Sequence, residues 1–163
     1  MKMKSTLKIK FWFLVSAFSA LTNFGFSQTQ VPFAGNNSVT TCSGTIKDHA
    51  GNANYNDGAN GYTVINPGTP GNVIQLTFTV FALECCCDYV RIYDGAGTGG
   101  TLLWSGNCTT FPPVITATVD ALTVQFTSDG SVVAAGFAAN IACVAPPPPP
   151  PPSPLVPFSG SGN

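Results

Sequence analysis

Apolar side chains recur at every second position through most of the chain, and a period of two confines such stretches to strands with one buried face. In residues 72–84, NVIQLTFTVFALE, Ile74, Leu76, Phe78 and Val80 alternate with Gln75, Thr77 and Thr79. The same rhythm turns Val90 and Ile92 inward in DYVRIYDG, Leu122, Val124 and Phe126 in ALTVQFTSD, and Phe137, Ala139, Ile141 and Cys143 in AGFAANIAC. No segment carries the 3.6-residue stripe of an amphipathic helix. Glycine-, asparagine- and proline-rich clusters (HAGNANYNDGANG, NPGTPGN, DGAGTGG) supply the turns between strands. The expected fold is all-β, an antiparallel two-sheet jelly-roll β-sandwich whose bulky strand residues are its core.

The N-terminus reads as a secretory signal peptide over residues 1–27. Lys2, Lys4, Lys8 and Lys10 precede an apolar run from Phe11 to about Leu21, and small residues follow around Gly25 and Ser27. The apolar run is shorter than the roughly 20 residues that cross a bilayer, so no membrane-spanning segment is expected after signal removal. Cleavage leaves Lys47 and Arg91 against all seven acids, a net charge of −5. Two scattered cations make no basic patch, which argues against nucleic acid as a partner and favours a cation. The expected location is secreted or extracellular, with attachment to a cell surface, and there paired cysteines become disulfides.

The proline run Pro146–Pro152 with Pro154 cannot donate backbone hydrogen bonds and is expected to form an extended spacer. Beyond it, VPFSGSGN at Val156 echoes VPFAGNNS at Val31. The resulting division is signal peptide 1–27, N-terminal leader 28–41, β-sandwich domain 42–145, proline-rich linker 146–157, and the start of a second repeat at 158–163.

Between Cys42 and Cys143 the ordered segments CSGTI, NY, FALE, DYVRIYDG, LLWSGNC, PPVITATV, FTSDGS and GFAANI resemble the CUB domain family, including its secreted bacterial members. The resemblance implies a jelly-roll sandwich and a binding function. It also implies a calcium site at one end, with Glu84 closing FALE, Asp88 opening DYVRIYDG, Asp129 and Ser131 from SDGS, and Tyr55 from NYND. The chemistry is consistent, since Ca²⁺ takes six to eight hard oxygens from flexible, carboxylate-rich loops. Asp94 is expected to be a turn residue before Gly95, and Asp57 and Asp120 solvated turn residues.

All six cysteines lie in the mature chain, three of them consecutive: Cys42, Cys85, Cys86, Cys87, Cys108 and Cys143. No CxxC pair and a single histidine, His49, argue against zinc and against a thiol redox centre, leaving disulfides. The resemblance implies that Cys85, or a neighbour in the triple, pairs with Cys108. The family's usual partner for Cys42 is missing from GYTVINPG. The remaining four can cross-link Cys42 and Cys143 to Cys86 and Cys87, the favoured expectation. Alternatively Cys42 joins Cys143 directly and leaves a vicinal pair.

Catalytic motifs are missing: there is no triad, no phosphate loop and no HExxH, so the chain is not expected to be an enzyme. The functional expectation is a calcium-binding adhesion module, first of a tandem array, that captures a basic side chain of a protein partner, or a carbohydrate. Tyr89, Tyr93 or Trp104 would flank the contact unless they are ordinary strand packing. The alternatives are an accessory domain of a secreted hydrolase or a structural subunit of a surface filament.

Overall fold

A computed structural model describes residues 27–148. The expected signal peptide up to residue 26, most of the expected proline-rich linker and the expected second repeat lie outside the described residues. Ten strands form in chain order: β1 Gln28–Gln30, β2 Ala34–Thr41, β3 Thr45–Lys47, β4 Asn60–Pro67, β5 Val73–Ala82, β6 Tyr89–Asp94, β7 Leu102–Gly106, β8 Ile115–Thr116, β9 Leu122–Thr127 and β10 Gly136–Val144. They make two five-stranded sheets, ordered β1-β3-β10-β5-β8 and β2-β4-β9-β6-β7. The described residues contain no helix.

The register follows from the alternating pattern. Leu76 lies opposite Ile141 in the first sheet, and Val90 opposite Phe126 and Ile92 opposite Val124 in the second. These six are all buried and face each other across the sandwich, and each such side chain contributes about 1.5–3 kcal/mol relative to exposure. Pairings are antiparallel apart from β1 on β3 and β2 on β4, which are parallel. Residues 28–41 are therefore not a separate leader: β1 and β2 extend both sheets, and Val31 between them is fully buried.

The inward assignment of Val80 is corrected. A β-bulge interrupts the β5–β10 ladder where Val80 pairs with Ala138 but Phe78 with Ala139, and an extra residue reverses which side chains face inward. Val80 is 40 % exposed, whereas Phe81 is 3 % exposed. The Phe81 ring packs edge-on against Trp104 at 5.4 Å. Trp104 therefore takes part in the packing between strands.

The cysteine pairing is also corrected. Cys42 is joined to Cys143, Cys85 to Cys108, and Cys86 to Cys87. A staple from Cys42 and Cys143 to the triple cannot form because the two groups lie at opposite ends of the sandwich. Cys143 pairs with Ile74 at the start of β5, while the triple follows β5, and a ten-residue strand spans about 33 Å.

Candidate functional site

At the end opposite the Cys42–Cys143 bridge, three connections converge: the β3–β4 loop, the short β5–β6 loop and the β9–β10 loop. Glu84 follows β5, Asp88 immediately precedes β6, and Asp129 lies two residues beyond β9. One carboxylate oxygen from each of the three lies within 4.8 Å of the others. Asp88 is fully buried, Glu84 half-buried and Asp129 exposed, so the cluster opens from the core toward solvent.

Tyr55 holds this geometry from the β3–β4 loop. Its ring is 1 % exposed and stands edge-on to Phe126 at 5.0 Å. Its hydroxyl donates to Asp88 Oδ2 and accepts the Glu84 backbone N–H at 3.0 Å. Asp88 Oδ1 accepts the Asp129 backbone N–H at 2.8 Å, and Asp129 Oδ1 accepts that of Ser131 at 3.0 Å. Ser131 thus enters through its backbone. Ser128 fastens the tyrosine loop, its hydroxyl donating to the Asn56 carbonyl and accepting the Ala59 N–H, both at 2.8 Å. His49 Nε2 accepts the Asn56 N–H at 3.1 Å; the histidine supports the loop.

The electrostatics are those of crowded like charges. Desolvation pushes the Glu84 carboxyl above the usual carboxylate range, and Asp129, Asp88 and Asp57 raise it further. Glu84 Oε2 is shielded from solvent and has no hydrogen-bond partner among the described residues. Burial and the hydrogen bond to Asp88 push the Tyr55 phenol upward as well. Asp57 is the exposed turn residue expected, and its charge also acts on Glu84.

The other candidates separate. Tyr89 lies beside the cluster, with its hydroxyl on the Cys86 carbonyl at 2.8 Å and the Arg91 guanidinium 4.8 Å above its ring. Tyr93 does not belong to the site: its hydroxyl donates to Gln125 Oε1 at 3.2 Å, and it sits four residues along β6, about 13 Å away. Asp94 is not itself in the turn: it closes β6 immediately before Gly95, its carboxylate accepting from the Thr118 N–H at 2.9 Å. Sequence reading missed Asp48. This fully buried carboxylate accepts the Ala50 N–H at 2.9 Å and the Phe137 N–H at 3.1 Å, fixing β10 to the β3–β4 loop.

Comparisons with known proteins place the chain. The family model for the CUB domain matches residues 34–141. Human cubilin (Homo sapiens) is 34% identical over 119 residues, covering 71% of this chain and 3% of cubilin. The astacin-like metalloendopeptidase of Gallus gallus is 31% identical over 102 residues, covering 60% of this chain and 24% of that protein. The chain therefore spans only a small part of these relatives. Among solved structures, the MASP-1 CUB2 domain bound to Ca²⁺ superposes with a TM-score of 0.56 at 22% identity, covering 65% of this chain and 96% of that one. The extracellular region of zebrafish Gpr126/Adgrg6 gives 0.55 at 23% identity, covering 66% and 14%. Family match, cubilin identity and sandwich topology agree, and the chain belongs to the CUB domain family.

Proposed function

We propose that this CUB domain is a calcium-organised adhesion module of an exported protein, in which the cation held at the sandwich tip orders carboxylates that capture a basic side chain of a protein partner. The observation that carries the reading is the convergence of Glu84, Asp88 and Asp129 within 4.8 Å, where the neighbouring acids raise the Glu84 carboxyl. The donor set fits a hard divalent cation: three carboxylates and a phenolic oxygen, from loops open to water for the remaining positions. Glu84, Asp88, Asp129 and Tyr55 would hold it, with Ser131 bracing Asp129. The MASP-1 CUB2 domain bound to Ca²⁺ is a precedent on the same fold. Once bound, the cation supplies fixed positive charge that lets the acids stay ionised side by side. What remains of their negative field then faces outward for a lysine or arginine.

CUB domains are non-catalytic interaction modules of extracellular proteins, which supports a binding role. The signal-like N-terminus and the cysteine content support export. The VPF-x-G echo across the proline run supports a tandem array, in which linked sites add about 10²–10⁴ in avidity when the spacer reaches. The test is surface binding by one repeat and by two or three, with calcium and with chelator. Retention should need calcium, fall with added salt, rise steeply with repeat number and be lost in Asp88→Asn. Chelator-insensitive binding, or equal affinity of single and tandem forms, contradicts the proposal. Release by free sugar rather than by a lysine-rich peptide would identify a carbohydrate partner instead.

A further inference from the structure

A second cluster at the same tip shares Glu84 but has different chemistry. One Glu84 carboxylate oxygen and the sulfurs of Cys86 and Cys87 lie within 4.8 Å of one another. Cys86 is exposed and Cys87 half-buried, and the two are bonded to each other.

The three disulfides differ in what they constrain. Their sequence separations are 101, 23 and 1. A bridge stabilises the fold chiefly by restricting the unfolded chain, more for a longer loop. Cys42–Cys143 and Cys85–Cys108 are thus tied to folding, whereas Cys86–Cys87 closes only the peptide unit between its own residues. Other contacts hold its loop in place. The Leu83 N–H donates to the Cys108 carbonyl at 2.8 Å and the Cys108 N–H to the Glu84 carbonyl at 3.4 Å. Tyr89 holds the Cys86 carbonyl. Opening the vicinal bond releases almost no unfolded chain and so should cost the sandwich little, and Cys86, exposed as Cys85 also is, can be reached by a thiol.

We propose that Cys86–Cys87 is a redox gate, and that its reduced form is a site for a thiophilic divalent cation bound by both sulfurs and Glu84. A dithiol reductant attacks Cys86 Sγ and the Cys86–Cys87 bond breaks, releasing the Cys87 thiolate. The reductant's second thiol then closes its own disulfide and frees Cys86. Two electrons and two protons pass to the pair. The cation binds both sulfurs with release of the two thiol protons to solvent, and Glu84 adds an oxygen. Two thiolates select soft metals over calcium. Glu84 Oε2, shielded and without a hydrogen-bond partner, is an acceptor available to either cluster. Oxidised, the tip offers only hard oxygens; reduced, Glu84 turns to the sulfur-bound metal.

The experiment exposes the folded, exported protein briefly to limiting dithiol, alkylates it and maps the thiols by mass. A second portion, reduced but not alkylated and freed of the dithiol, is titrated with cadmium alone, reading the ultraviolet thiolate-to-metal charge-transfer band. That band reports sulfur ligation, so cadmium held by the carboxylates alone is silent. Cys86 and Cys87 should be labelled before any other cysteine. One cadmium per chain should produce the band, and Glu84→Gln should weaken it about tenfold or more. The double variant Cys86→Ser/Cys87→Ser should lose the band while melting at an unchanged temperature, which excludes misfolding as the reason. Labelling of Cys85 or Cys108 first, no band after reduction, or unaltered affinity in Glu84→Gln would overturn the proposal.

Discussion

Replacing Tyr55 by phenylalanine removes one oxygen from a ring that is otherwise untouched. The Phe126 contact at 5.0 Å survives, so the cost isolates the hydroxyl. That hydroxyl serves the buried Asp88 Oδ2 and the part-buried Glu84 N–H. Stranding a buried polar partner costs about 1–3 kcal/mol, more when it is charged, so Tyr55→Phe should destabilise the cation-free domain by about 2–5 kcal/mol. The corresponding fall in Tm is on the order of 10 °C. Urea unfolding in chelator measures it, with Asp88→Asn and the double variant completing a cycle. The two changes remove the same contact, so their costs should fall short of adding by about 1 kcal/mol or more. A loss below about 0.5 kcal/mol, the range of ordinary surface changes, or strict additivity, would refute the claim that Tyr55 pins the carboxylates.

Removing the bridges pairwise should rank by loop length: about 4–5 kcal/mol for Cys42 with Cys143, about 3 for Cys85 with Cys108, and little for Cys86 with Cys87, by denaturant melts of double serine variants. The bulge in β5 predicts that Phe81→Ala costs about 3–5 kcal/mol while Val80→Thr stays within about 0.5 kcal/mol; the reverse ranking would restore unbroken alternation. Asp48, raised by desolvation above its ordinary 3.8, binds its proton more tightly folded than unfolded. Its contribution is present below the unfolded value and is lost as pH rises through the folded one. Unfolding free energy measured across that window should therefore carry a falling component that Asp48→Asn removes.

The period-two pattern made most of the core legible, since Ile74, Leu76, Val90, Ile92, Leu122, Val124 and Phe126 are all buried where alternation puts them. It failed at Val80, because a bulge is a property of two strands and β5 alone cannot reveal the extra residue. The parallel edge strands were hidden for a similar reason. Residues 28–41 are mostly polar and exposed, and their place depends on β3 and β4 as partners. The acids of the tip were legible as residues, because motif order places Glu84, Asp88 and Asp129 at strand ends. The hydrogen bonds of Tyr55 and the burial of Asp48 were not, since both arise from contacts between loops distant in sequence. The cysteines show the same limit: composition indicated disulfides, but the length of β5 decided which could meet.

Whether the sandwich tip holds a hard divalent cation is read from calorimetric titration of Ca²⁺ into the chelator-stripped, oxidised protein. One site per chain is predicted, with stabilisation of about 2.7 kcal/mol at a hundredfold excess over Kd, and loss of both heat and stabilisation in Asp88→Asn and Asp129→Ala. No heat of binding and superimposable melting curves in calcium and in chelator would contradict it.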